Sequence, residues 1–205
     1  MPAPDGGRPV PIAWVPTSYL AMGLVYVTVG SVANIMLKNL GLPNEQAAFW
    51  SSLLGLPYII NPLWAPLLDH GRLPGFRRLG RRRGWLLFAQ IGVGAGLLAM
   101  AAITPANLPA FVAATLAVAL FGATQDIAVD AYRIEIAPLE DQGALVATYS
   151  LGYRIGLLVA GALALILADH WQWRSVYVLM AATMLVPVAA NLFAREPDAI
   201  RQAPL

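Results

Sequence analysis

One polar stretch follows a long uncharged segment and carries the side chains best suited to chemistry. Residues 124–135 read TQDIAVDAYRIE, and residues 108–123 before them contain no charge. Asp126, Asp130 and Arg133 are spaced at i, i+4 and i+7, which places them on one face of a helix. Carboxylates beside so apolar a segment need a partner or a function. We expect that face to point into a helix bundle, a water-filled cavity or a basic loop.

Asp126 and Asp130 could serve three kinds of chemistry. They could pair with arginines as a gate or a structural link, or they could carry protons. Asp126 lies about 27 Å along the helix from Leu108, near the edge of a hydrocarbon layer about 30 Å thick, which favours pairing over proton carriage. A metal-dependent membrane enzyme is the third reading, but no third or fourth ligand is evident and the chain has no cysteine. We therefore expect no metal, no cofactor and no enzyme.

Arg154 is the charged residue that lies deepest in an apolar segment. It stands ten residues after Ala144, about 15 Å along a helix, and an arginine at that depth must face protein or water. Its guanidinium can hold a carboxylate through two parallel hydrogen bonds. Two interpretations stay open: a cavity residue for a substrate anion or proton coupling, or an internal salt bridge with Asp126. Further candidates for a polar cavity are Tyr153, Gln125 and Asn34.

The composition places this chain in a membrane. Hydrophobic residues make up 59% and charged residues 12%, and the mean hydropathy is +0.64, whereas soluble domains carry about 25% charged residues. Six of the thirteen basic residues lie between Arg72 and Arg83. In a soluble protein such a cluster would suggest nucleic acid, but between apolar segments it indicates membrane topology. We expect a lipid bilayer and no nucleic-acid partner.

Six apolar segments are long enough to cross a bilayer, which needs about 20 residues per helix. They are too long for strands and do not alternate, so the predicted fold class is an all-α membrane protein with six transmembrane helices. Three prolines, Pro57, Pro62 and Pro66, should kink the second segment. The predicted segments are Tyr19–Leu37, Gln46–Leu68, Trp85–Thr104, Leu108–Arg133, Ala144–Ala168 and Val176–Phe193.

The arginine-rich loop sets the predicted orientation. Residues 69–84, DHGRLPGFRRLGRRRG, form the longest connection, and the positive-inside rule places it in the cytoplasm. Alternation then puts both termini on the same side. The predicted organisation is a cytoplasmic lead-in over residues 1–18, a six-helix domain over 19–193, and a cytoplasmic tail or the start of a central linker over 194–205.

Three glycines form a stripe of small residues in the fifth segment: Gly152, Gly156 and Gly161. Small residues let helix backbones approach closely within membranes. A phosphate-binding loop is a poor alternative, because the glycines lie inside an apolar helix and no Lys-Ser or Lys-Thr follows them. The stripe therefore predicts close helix packing.

Four motifs spread over the chain are specific enough to suggest a family. They are WAPLLDHG at 64–71, GRRRGWLL at 80–87, TQDIAVDAYRIE at 124–135 and LGYRIGLLVAGALAL at 151–165. Together they resemble the AmpG-type permeases of the major facilitator superfamily. The resemblance implies proton-coupled import of cell-wall muropeptides, which are anhydro-muramyl sugars with attached peptides, across the bacterial inner membrane. It also implies that Asp69 is a gating charge that pairs with an arginine such as Arg81 or Arg82, rather than a solvated residue at a helix end.

The chain departs from this family in two ways. His70 follows Asp69 where the superfamily loop motif has a basic residue. Such transporters also have twelve spans, and six are predicted here, so the resemblance is to the N-terminal six-helix half. We expect transport to need a C-terminal half, in a longer reading frame or a separate chain, or a second copy. A truncated fragment that does not transport is the alternative.

Overall fold

The chain folds into α-helices. A computed structural model describes residues 15–39, 41–103, 107–136, 142–194 and 196–197, and within these ranges it contains ten α-helices and no strand. The all-α fold class predicted from sequence is confirmed. The helices are α1 (Val15–Val27), α2 (Ala33–Asn39), α3 (Asn44–Ile60), α4 (Ala65–His70), α5 (Arg81–Ala102), α6 (Leu108–Ile136), α7 (Gln142–Leu158), α8 (Ala164–His170), α9 (Trp173–Thr183) and α10 (Leu185–Phe193).

Among the described residues, five continuous helical stretches are long and apolar enough to cross a membrane, and they match five of the six predicted segments. Two of them contain a π-helical turn: Thr28–Val32 joins α1 to α2, and Val159–Leu163 joins α7 to α8. Single π turns inside α-helices are frequent near functional sites. The five stretches are Ser18–Asn39, Arg81–Ala102, Leu108–Ile136, Gln142–His170 and Trp173–Phe193.

The second predicted segment is helical but interrupted. Helix α3 has 17 residues and contains Pro57, and a 3-10 turn over Asn61–Leu63 separates it from α4. Pro62 and Pro66 each lie in the first two positions of the turn or helix that follows, where a missing N–H leaves no hydrogen bond unmade. The kink expected from the prolines is therefore a break between α3 and α4.

Glycines let α1 and α7 cross with their backbones in contact. A Cβ placed on Gly156 of α7 would lie 2.2 Å from a carbonyl oxygen of α1, and a Cβ on Gly23 of α1 would lie 2.2 Å from a carbonyl oxygen of α7. Gly152 is also buried, and Gly161 is half-buried. Such close approach is the usual role of small residues between membrane helices. The crossing fixes the two helices that supply most of the site.

Two clusters of buried apolar side chains hold the helices together. The larger one includes Leu24, Phe111 and Tyr177, and the smaller one is built around Tyr19 and Trp85. Many large apolar side chains point outward instead and are exposed, as expected for helices that face lipid or another helical unit.

Most of the predicted lead-in and tail lies outside the described residues, since residues 1–14 and 198–205 are not among them. The same holds for residues 104–106 and 137–141, which connect α5 to α6 and α6 to α7. The described helices nevertheless include every candidate residue named from the sequence.

Candidate functional site

A cavity of about 1030 Å³ lies between α1, α3, α6 and α7. Ligand pockets of this size are usually lined by apolar and aromatic side chains with a few placed polar groups, and this one follows that pattern. Helix α7 supplies much of the wall. The lining residues are Tyr19, Met22, Tyr26, Tyr58, Asp126, Tyr149, Ser150, Tyr153, Arg154, Leu157 and Leu158.

Five of the seven tyrosines in the chain line this cavity. The two on α7, Tyr149 and Tyr153, are spaced at i and i+4, so they share a helix face. Each meets a tyrosine of α1: the rings of Tyr149 and Tyr19 have centroids 4.7 Å apart, and those of Tyr153 and Tyr26 are 6.3 Å apart. Tyr58 reaches the cavity from α3. The crossing of α1 and α7 thus converts two periodic patterns into one aromatic lining.

Asp126 and Arg154 are the two oppositely charged side chains of the lining. Asp126 is half-buried and Arg154 is exposed. No hydrogen bond or ion pair to either is found within the described part of the chain, and the salt bridge that one interpretation expected between them is not formed. Two oppositely charged side chains that share a cavity without forming an ion pair are both available to a ligand.

The other two cavity candidates lie outside this lining. Gln125 is fully buried, and neither polar atom of its amide has a hydrogen-bond partner among the described residues. Asn34 is half-buried, and its Oδ1 is likewise buried without a partner. Both side chains therefore have buried polar atoms without hydrogen-bond partners among the described residues, and neither side chain lines the cavity.

Asp130 and Arg133 form a polar group beside the cavity. The hydroxyl of Tyr19 donates a hydrogen bond of 2.8 Å to Asp130, and the Nε of Arg133 lies 3.9 Å from the same carboxylate. The Arg133 guanidinium lies over the ring of Tyr149, 5.2 Å from its centroid, a distance suited to a cation–π contact. Unlike Asp126, Asp130 already has partners within the fold.

A network of ion pairs joins the start of α5 to the ends of α4 and α6. Arg82 is 5% exposed, and its guanidinium donates to Asp69 at 2.8 Å and to Glu135, whose two carboxylate oxygens lie 3.0 Å from Nε. Arg81 donates to the backbone carbonyl of Asp69 and lies 3.4 Å from Glu135. One buried cation thus links two carboxylates from different helices, in the forked geometry that arginine favours.

A second set of contacts at the same end joins α5 to the residues after α10. The Glu196 carboxylate accepts hydrogen bonds from the backbone N–H groups of Arg82 and Arg83, at 2.8 and 3.0 Å. The Arg83 side chain donates in turn to the carbonyls of Asn191 and Leu192 near the end of α10. An anion at a helix N-terminus and a cation at a C-terminus both complement the helix dipole.

Sequence reasoning did not single out several of these residues. Glu135 belongs to the motif at 124–135 but was not assigned a role, and Glu196 had no signal, because its partners lie more than a hundred positions away. The tyrosines had a usable signal in the i, i+4 spacing of Tyr149 and Tyr153. Among the described residues, no group of three or more His, Cys, Asp or Glu could hold a metal ion.

Comparison with known proteins assigns the family. The sequence profile of the Major Facilitator Superfamily matches residues 17–205, nearly the whole chain. The chain belongs to the Major Facilitator Superfamily. The AmpG-type resemblance is confirmed as well, and the superfamily to which the chain belongs is one of transporters rather than enzymes.

Three relatives show which branch of the Major Facilitator Superfamily the chain resembles. The anhydromuropeptide permease of Escherichia coli K12 is 42% identical over 169 residues, which are 82% of this chain and 32% of that protein. An uncharacterized Haemophilus influenzae protein is 40% identical over 69% of this chain and 33% of its own length. A Rickettsia felis protein that carries the name AmpG 4 is 30% identical over 89% of this chain and 45% of its own length. The chain therefore spans a third to under half of these relatives. The family match and the apolar helices together support a multi-pass protein of the bacterial inner membrane.

Proposed function

We propose that this chain forms part of a proton-coupled transporter that carries cell-wall muropeptides by alternating access. The observation that supports the proposal most is the cavity, where Asp126 and Arg154 lie among five tyrosines. Neither has a hydrogen-bond or ion-pair partner among the described residues. A relative 42% identical to this chain is named anhydromuropeptide permease. A muropeptide combines sugar rings with a charged peptide, and the lining offers aromatic rings together with charges of both signs.

Arg154 and Asp126 have separate roles in this proposal. The guanidinium of Arg154 binds a carboxylate of the solute, because it can form two parallel hydrogen bonds and makes no ion pair with a carboxylate of the described helices. Asp126 carries the proton, since carboxylates within membranes commonly serve as proton relays. This assignment departs from the helix-rise argument, which favoured charge pairing for Asp126. It is the partnered carboxylate, Asp130, that fits charge pairing.

A second helical unit completes the cavity in this proposal. Arg154 is exposed, and Tyr26 is 61% exposed, although both line the cavity. An arginine left facing hydrocarbon is unfavourable by about 2.5–3.5 kcal/mol on insertion scales, so we expect protein or water on that side. The second unit is a further part of a longer chain, a separate chain or a second copy. Robust uptake by a demonstrated monomer of these 205 residues would contradict this.

We also propose that the arginine-rich loop faces the cytoplasm and that both termini lie on that side. Six of the thirteen basic residues lie between Arg72 and Arg83, in this loop and the first turn of α5, which supports the orientation through the positive-inside rule. The ion pairs of Asp69 and Arg82 would then act at the cytoplasmic face, where their release could accompany opening. A cysteine introduced at Gly75, an exposed loop residue, should react with a membrane-impermeant thiol reagent only after permeabilisation. Labelling in intact cells would reverse the orientation.

Uptake by proteoliposomes tests the proposed function. The full-length protein that contains this chain should accumulate labelled anhydromuropeptide when the lumen is alkaline, and should not do so without a proton gradient. Asp126→Asn should abolish gradient-driven accumulation but retain exchange of labelled for unlabelled solute, because exchange needs no net proton movement. Asp169→Asn is the matched control, since Asp169 is exposed near the end of α8. Wild-type protein that moves no muropeptide would refute the function, whereas normal accumulation by Asp126→Asn would refute only the proton role.

A further inference from the structure

The five cavity tyrosines fall into two groups according to what they contact. Tyr19 and Tyr149 are engaged within the fold, because the hydroxyl of the first is bonded to Asp130 and the ring of the second is covered by Arg133. Tyr26, Tyr58 and Tyr153 also line the cavity, and in the described part of the chain they have neither a hydrogen bond from the hydroxyl nor a cation over the ring. The hydroxyl of Tyr149 makes no hydrogen bond there either, but Arg133 occupies a face of its ring. Three tyrosines therefore have both ring and hydroxyl available to a ligand.

The three available tyrosines surround the cavity from three helices. Tyr26 lies on α1, Tyr58 on α3 and Tyr153 on α7. The rings of Tyr26 and Tyr153 are inclined by 57°, so they do not stack on each other. Gly122 of α6 leaves the space that Tyr58 occupies, since a Cβ there would lie 2.5 Å from the Tyr58 hydroxyl. The backbone of α6 thus accommodates this phenol beside the cavity.

The chemistry of these side chains suits a sugar ring. A tyrosine offers a large, rigid, apolar face and a hydroxyl at its edge, and a pyranose offers an apolar C–H face with hydroxyls at its rim. In the proposed function Arg154 holds a carboxylate of the peptide and Asp126 carries the proton, which leaves Tyr26, Tyr58 and Tyr153 without a role. A pyranose ring would use both the faces and the hydroxyls, at small cost in side-chain entropy.

We propose that Tyr26, Tyr58 and Tyr153 form a saccharide subsite, separate from Arg154, which holds the carboxylate of the attached peptide. The inference rests on the proposed function, because it divides one muropeptide between two parts of the same cavity. Tyr153 and Arg154 are adjacent on α7, so a single turn of helix positions the junction between sugar and peptide. Tyr153 is then a specificity-determining residue.

The test compares two probes on the full-length protein that contains this chain. One probe is an anhydromuropeptide, and the other is the corresponding lactyl-peptide, which has the same peptide but no sugar. Tyr153→Leu and Tyr26→Leu should each weaken binding of the anhydromuropeptide about fivefold, the loss of one favourable aromatic contact. The inhibition constant of the lactyl-peptide should stay the same in these variants. Arg154→Gln should weaken both probes, and Tyr153→Phe should retain most binding because it keeps the ring.

The possible outcomes separate this inference from the function on which it rests. A wild-type protein that binds no anhydromuropeptide would refute both the proposed function and the saccharide subsite. If the wild type binds it, unchanged affinity in the two leucine variants would overturn the saccharide subsite alone. So would an equal loss for both probes, because tyrosines that contact peptide would weaken each. Failure of the lactyl-peptide to compete in the wild type would support the subsite, provided that the leucine variants lose affinity. Monodisperse elution of each variant checks that it is folded.

Discussion

Two arginines in different regions of this molecule have opposite surroundings: one is paired with carboxylates and the other, among the described residues, is not. At the start of α5, Arg82 is 5% exposed and donates to two carboxylates, Asp69 and Glu135. In the cavity, Arg154 is exposed and has no carboxylate partner in the described helices, although Asp126 lines the same cavity. The residue types are the same in both regions. The regions differ in whether the fold brings the opposite charge within hydrogen-bond distance.

That difference indicates what each region is for. Buried charges are tolerated when they are paired and hydrogen-bonded, so the α5 network can hold three helix ends together. An unpaired charge in a membrane cavity is instead available to a solute or a proton. We therefore expect substitutions in the network to lower stability, and substitutions in the cavity to lower transport while stability stays the same.

The largest effect on stability is expected at Arg82. Arg82→Ala should lower the free energy of unfolding by about 3 kcal/mol, because it leaves Glu135 and Asp69 without their shared cation. Thermal unfolding of the purified protein in detergent measures the change. Arg78→Ala is the matched control, since Arg78 is exposed in the turn just before α5, and a surface substitution of this kind should change stability by less than about 0.5 kcal/mol. Equal melting temperatures for both variants would show that the network does not stabilise the fold.

Sequence predicted the helical spans well because hydropathy and length decide them locally. Five segments were found as expected, and the second was altered only by the interruption between Asn61 and Trp64. Local patterns could not decide which charges pair. Arg82 and Glu135 are 53 positions apart, and Arg82 and Glu196 are 114 apart, so their contacts depend on the packing of whole helices.

The cavity shows the same limit more clearly. Arg154 was singled out for its depth in an apolar segment, and it lines the cavity. Two interpretations remained, because the distance from Arg154 to Asp126 is set by how α6 and α7 pack. The tyrosines of α1, α3 and α7 converge only once Gly23 and Gly156 bring two of these helices together. Residue type and depth in a segment therefore identify a charge that needs a polar environment. Tertiary packing decides whether that environment is a partner side chain or a cavity.

The second prediction concerns Arg154, whose substitution should lower transport without changing stability. Arg154→Ala should raise the KM for anhydromuropeptide about 10- to 100-fold, since a hydrogen bond to a charged group contributes about 1.5–3 kcal/mol. Arg154→Lys should fall between the alanine variant and wild type, because it keeps the charge but loses the fork. Initial uptake rates over a range of solute concentrations give these values. Wild-type uptake by the alanine variant at matched expression would show that Arg154 does not bind the solute. A large drop in melting temperature would show that Arg154 stabilises the fold, as the α5 network is expected to do.

The smallest effect is expected at Glu196, which tests whether the network includes the residues after α10. Glu196→Ala removes the acceptor for two backbone N–H groups at the start of α5, so it should reduce stability by about 1 kcal/mol, as the loss of a helix cap does. Glu196→Gln keeps an acceptor oxygen and loses the charge; it should be destabilised less, and the remaining loss should shrink with added salt, because helix-dipole interactions are screened.

Asp169→Ala is the control, as an exposed acid at a helix C-terminus should not stabilise the fold. Because Glu196 contacts backbone and not the cavity, the KM for uptake should stay unchanged in both Glu196 variants. A raised KM with unchanged melting temperature would mean that the two regions are coupled, and the division between a structural network and a functional cavity would then be too sharp.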